Sequence, residues 1–128
     1  MALLAARPGA DATRVLLSQL SSRPIQSRVV AALAQAADGR VDALADALGH
    51  ATAETAPLIV AALARARRPD ALLVLEDGLA TQEVSVRRAI AQALAAMGTA
   101  SSRVLLARSA TQDPDEEVRE ISRAAAER

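Results

Sequence analysis

At 128 residues, 52% hydrophobic and 23% charged, the chain has the size and composition of one folded domain. Its 15 basic residues, all arginine, are matched by 15 acidic ones, and a net charge of zero argues against a general polyanion binder, whose affinity comes from uncompensated positive charge. The lack of cysteine removes disulfide frameworks and thiolate metal sites, while 33 alanines and no aromatic residue favour closely packed helices.

The opening stretch MALLAARPGA has no basic region ahead of its apolar residues and makes a poor signal peptide. Residues 1–6 read instead as the end of a helix without its start, because Leu3 lies 30 positions before Leu33 in a series that recurs along the chain. A first helical pair follows over about residues 11–37, its second helix carrying Ile25, Val29, Ala32, Leu33 and Ala36 at the spacing of one helix face. In the pair at about 40–67, Val41, Leu44 and Leu48 mark the first helix, and Thr55, Ile59, Ala62, Leu63 and Ala66 the second. Both stripes return 31 positions later in the pair at 69–97, as Leu72, Leu75 and Leu79 and then Val86, Ile90, Ala93, Leu94 and Met97. The last pair, about 100–128, repeats them as Arg103, Leu106 and Ala110, then Val118, Ser122, Ala125 and Ala126 with Ile121 alongside. We call the first helix of each pair A and the second B.

Punctuation keeps the same period. Gly9, Gly39 and Gly98 fall where a B helix hands over to the next A helix, a place suited to left-handed backbone. Pro8 and Pro69 mark the same joint, and Pro24, Pro57 and Pro114 stand near B-helix starts, where a missing amide hydrogen costs nothing. Asp115 is placed to cap the last B helix, with Glu116 and Glu117 in its first turn.

A fixed period of this length predicts an all-α superhelix, a solenoid of about four helical hairpins in a row, and not a bundle closed around one centre. Residues 1–128 form one domain in this reading. Both ends look cut, so the expectation is a piece of a longer solenoid; the alternative is a short chain with frayed ends. The longest apolar run, residues 56–64, is less than half a membrane span, and the chain reads as soluble and cytoplasmic.

The segments VRRAIAQALAAMG (86–98) and DPDEEVREISRAAAER (113–128) resemble HEAT repeats, in particular the short bacterial type named after phycobilisome lyases. The likeness, an Asp-Pro-Asp turn, Val-Arg and an alanine-rich helix, is close over the last 60 residues and rests on periodicity alone over the first 67. It implies a right-handed stack whose B helices line a concave side, and a scaffold or adaptor that binds protein through that side without catalysis. Outward B positions then form the candidate ridge: Arg65, Arg88 and Gln92, joined by Arg119, a set suited to gripping an acidic segment of a partner. The competing expectation for these arginines is a ladder of ion pairs between repeats, such as Arg87 to Asp113 or Glu117.

Two other functions compete with this one. The repeat subtype suggests a lyase or isomerase subunit acting on a bilin–protein conjugate, yet a chromophore pocket wants aromatic walls and the chain has none. HEAT-like modules that bind DNA need net positive charge and stacking side chains, also lacking here. The single histidine, His50, reads as a turn or capping residue, and the paired Asp42 and Asp46 as a solvated face. No catalytic residue, cofactor, metal, nucleic acid or membrane is therefore expected, and open ends leave end-to-end self-association available.

Overall fold

The computed structural model describes residues 10–20, 26–35 and 39–127. Among them eight α-helices follow one another with no strand: α1 (Ala10–Ser18), α2 (Gln26–Leu33), α3 (Arg40–Gly49), α4 (Ala56–Ala66), α5 (Pro69–Thr81), α6 (Val84–Met97), α7 (Ala100–Gln112) and α8 (Glu116–Ala126). The helix end expected at 1–6, with Pro8, Gly9, Pro24, Ile25 and Ala36, lies outside the described residues.

Local chemistry accounts for the boundaries. Pro57 and Pro69 sit in the first turns of α4 and α5, where no intrahelical partner for an amide hydrogen exists. Gly39 (φ 71°) and Gly98 (φ 63°) turn the chain in left-handed conformation between hairpins. Thr99 and Ser102 close a reciprocal capping box on α7, the Ser102 amide donating to Thr99 Oγ1 at 3.1 Å and the Thr99 amide to Ser102 Oγ at 3.0 Å.

The odd-numbered helices are the A series and the even-numbered ones the B series. Each A helix packs on the B helix of its own hairpin, and the B helices pack in one row, α2 on α4, α4 on α6, α6 on α8. Helices more than two places apart in order do not pack closely, so the hairpins form an α-α solenoid and not a closed bundle.

One apolar seam runs along the row. Leu44, Leu75 and Leu106 from the A helices meet Val29, Leu33, Ile59, Leu63, Val86, Ile90, Leu94 and Val118 from the B helices, all buried. The B stripe agrees with the sequence reading at its centre, but Val60 and Ala91, outside that stripe, are also fully buried. A B helix inside a row is flanked by B neighbours on both sides and so buries more than one face. Position 123, a period after Ala91 in the last B helix, holds an exposed arginine.

The A face is centred differently from the expectation. Val41, Leu72 and Leu79 are only half-buried and Arg103 is exposed, whereas Arg40, Ala71 and Ser102 are buried. Those three precede the central leucines by four residues, a step along the same face that hydropathy misses when the position is small or charged. Arg40, 2% exposed, is held by hydrogen bonds. Its Nε donates to Thr13 Oγ1 at 2.7 Å, and its Nη1 to the carbonyls of Ala32 at 2.8 Å and Gln35 at 3.2 Å. One guanidinium thus stitches α1, the end of α2 and the start of α3, while burial pulls its pKa down. Gly78, buried inside α5, permits close approach to α6, since a Cβ there would stand 2.5 Å from Ile90 Cδ1.

Ser122 occupies in α8 the stripe position that Ile59 and Ile90 occupy in α4 and α6. It is fully buried and its hydroxyl has no hydrogen-bond partner. Ser122→Ala is expected to raise stability by about 1 kcal/mol, removing an unsatisfied polar atom and improving helix propensity. Urea titration checks this; a loss of stability means that the hydroxyl is satisfied.

Candidate functional site

Five of the arginines on the B side fall into two groups that differ in what their guanidinium groups already hold. The first surrounds the turn between α7 and α8, whose sequence is Asp113-Pro114-Asp115. Asp113, the C-cap of α7, is 7% exposed, and its Oδ1 accepts the Asp115 amide at 2.9 Å. Asp115 caps α8, its Oδ2 accepting the Val118 amide at 3.0 Å.

Arginines from the preceding hairpin reach both aspartates. Arg87 Nε donates to Asp113 Oδ2 at 3.0 Å and Arg87 Nη1 to the Gln82 carbonyl at 2.8 Å. Arg88 grips Asp115 with two donors, Nη2 to Oδ1 at 2.9 Å and Nε to Oδ2 at 3.1 Å, and its Nε lies 3.0 Å from Glu117 Oε2. Arg119 Nη1 donates to the Asp113 carbonyl at 2.9 Å. Gln82 and Asp113 are the C-caps of α5 and α7, so Arg87 and Arg119 make the same reach back to the end of their own A helix. The expected ladder between repeats is present as Arg87–Asp113, while Glu117 is taken by Arg88.

The hydrogen bond from Arg88 and, after it, the Val118 amide hold the Asp115 carboxyl down to about pKa 2, against the opposing effect of desolvation. A carboxyl depressed on folding stabilises the fold at pH values above its unfolded pKa, roughly 4, and this contribution is lost as pH falls toward its folded value. Thermal melts of the parent and of Asp115→Asn, which keeps a capping side chain, should therefore differ at neutral pH and converge between roughly pH 4 and 2. A gap that persists unchanged at the acid end would contradict this.

The second group lies at the other end of the B helices. Arg65 stands in the last turn of α4, and the repeat register sets it beside Ala96, eight residues beyond Arg88 along α6 or about 12 Å at the helical rise. The structure thus brings Arg88 and Arg119 to one turn and Arg65 to a different place, with Gln92 exposed on α6 between them. Arg65 borders a shallow groove of about 410 Å³ formed by Ala61, Ala64 and Arg67 on the α4 side and Ala93, Ala96 and Met97 on the α6 side. Neither the Arg65 nor the Arg67 side chain has a hydrogen bond or ion pair among the described residues.

Sequence reasoning passed over Arg67. It is the C-cap of α4 and the single non-glycine residue with positive φ, 52°, among the described residues. It stands at the joint where Gly39 and Gly98 stand in the neighbouring hairpins, and that substitution in a glycine register was the available signal.

Other candidates are quiet. Asp42 and Asp46 are exposed, and His50, also exposed, caps α3 with its Nδ1 3.0 Å from the Asp46 carbonyl. No group of three or more His, Cys, Asp or Glu that could hold a metal occurs among the described residues, and no helix among them is long and apolar enough to cross a membrane. On the A side, α5 and α7 do not pack closely, and a cleft of about 240 Å³ opens between them. Its charges are paired across it, Arg108 with Glu76 at 3.7 Å and Arg87 with Asp113.

The pattern of the family described as HEAT repeats matches residues 41–127, three of the four hairpins. No curated protein and no solved structure matches the chain.

Proposed function

Because the chain belongs to the HEAT repeat family, whose members generally mediate protein–protein interaction, we propose that this solenoid is a non-catalytic scaffold or adaptor that binds an acidic segment of a partner on the outward face of its B helices. The ridge is drawn from Arg65, Arg88, Gln92 and Arg119, with Arg65 as the arginine open to a partner. The observation that carries the reading is the contrast among the arginines. Arg88 and Arg119 already hold acceptors of their own chain, whereas Arg65 is exposed and holds none among the described residues. An arginine without an internal partner has its fork of donors available for a carboxylate.

The Asp-Pro-Asp and Val-Arg elements that resemble the phycobilisome-lyase type act here as fasteners between hairpins, a role that supports a rigid scaffold and requires no bilin chemistry.

Arg65→Glu is the cleaner test, since Arg88→Glu would also break the ion pair that holds Asp115, the N-cap of α8. Immobilised parent should retain one protein at near-stoichiometric yield, and Arg65→Glu should lose it while the melting temperature falls only slightly, as reversing a charge in the last turn of α4 requires. Undiminished capture by the variant would remove Arg65 from the interface. Absence of any stoichiometric partner would remove the scaffold reading.

A further inference from the structure

The groove between the C-terminal halves of α4 and α6 combines an apolar floor with charge of one sign. Ala61, Ala64, Ala93 and Met97 are half-buried and Ala96 is exposed, so the floor presents methyl groups and a thioether to solvent. Methionine in such a place adapts to side chains of different shape. Arg65 and Arg67 stand on the rim, both exposed, and no acidic residue lines the groove.

Several arginines elsewhere are neutralised locally. Arg68 pairs with Asp70, Arg87 with Asp113, Arg88 with Asp115 and Glu117, and Arg108 with Glu76. Arg28, Arg103 and Arg123 are likewise exposed without a side-chain partner among the described residues, but Arg65 and Arg67 are the two that flank an apolar floor. Charge complementarity therefore selects the occupant.

We infer that the groove takes an acidic peptide segment carrying a medium-sized aliphatic side chain, which seats over Met97 and the alanines while flanking carboxylates meet Arg65 and Arg67. This rests on the scaffold reading and deepens it, adding Arg67 and Met97 as residues that set specificity. The methyl floor disfavours charged groups at its centre, and the arginine rim disfavours basic segments. A groove without aromatic residues has no stacking platform for bases, which favours peptide over single-stranded nucleic acid.

The test uses a fluorescein-labelled peptide, Glu-Asp-Leu-Leu-Asp-Glu, with anisotropy read against the full chain. Controls replace its leucines with serine, replace its acids with glutamine and asparagine, or substitute labelled oligothymidine. The acidic leucine peptide should bind and each control should weaken by about tenfold or more. Arg67→Gly is the informative variant, because glycine suits the left-handed backbone. It should leave the melting temperature unchanged or raised while weakening the peptide about fivefold. Met97→Glu should weaken it by at least about tenfold, with folding checked by circular dichroism.

Equal binding of the serine peptide, or of oligothymidine, would overturn the proposal in favour of a plain anion site. Binding unaffected by Arg67→Gly and Met97→Glu would overturn the groove. If partner capture were still lost in Arg65→Glu under those conditions, the scaffold reading would stand without it.

Discussion

Leu94→Ala is expected to lower the unfolding free energy by about 2–5 kcal/mol, the range for truncating a fully buried leucine whose surroundings relax incompletely. Leu94 is 0% exposed in α6, the B helix that packs on α4, α5, α7 and α8. A cavity there weakens both sides of one hairpin, and stability in a row of repeats is nearly a sum of repeat and interface contributions. Leu63→Ala, one repeat earlier and 1% exposed, should behave alike. The control is Leu73→Ala, on an A helix at 63% exposure, where the change should stay within about 0.5 kcal/mol. Thermal and urea unfolding of the three variants decides the matter. If Leu94→Ala and Leu63→Ala melted with the parent, the seam described above would not be the core.

Those two leucines were legible in the sequence because they recur at a fixed interval on a helical stripe, and burial follows from that recurrence alone. Where the stripe is written in leucine and isoleucine, hydropathy and packing agree. They part at Arg40, Ala71 and Ser102, because burial there comes from hydrogen bonds or from small size, to which a hydrophobic pattern is blind. They part again at Ala91, whose burial belongs to the next hairpin and not to its own helix.

The candidate arginines divide for a related reason. Periodicity places Arg65, Arg88 and Gln92 on outward B positions, and Arg65, Gln92 and the partly exposed Arg88 do face solvent, whereas Arg119 shares the register of Arg87. Which of them remains free depends on where Asp115 and Glu117 fall in three dimensions, information held in the turn between α7 and α8. Arg67 was readable only by asking why one joint in a glycine register lacks its glycine.

Asp113→Ala should cost about 3–5 kcal/mol, an effect comparable with a core truncation although it removes a charged residue. The Asp113 side chain is 3% exposed and that of Arg87 15%, so the pair is withdrawn from water in a way that Arg68–Asp70, at 47% and 48%, is not. Deleting the carboxylate leaves the Arg87 guanidinium largely desolvated, with the Gln82 carbonyl as its remaining acceptor. It also leaves the Asp115 amide without the oxygen that folds the Asp-Pro-Asp turn. The loss should be directional, because this turn belongs to the last hairpin while Arg87 belongs to the one before. Hydrogen exchange in α7 and α8 should accelerate before exchange in α4 to α6, as the terminal hairpin detaches from the row. Pairing Arg87→Met with Asp113→Leu should recover much of the stability, since the greatest cost lies in stranding one charge and not in lacking the pair. A single-variant cost below about 1 kcal/mol would class the pair with solvated surface bridges and remove the fastener between the third and fourth hairpins.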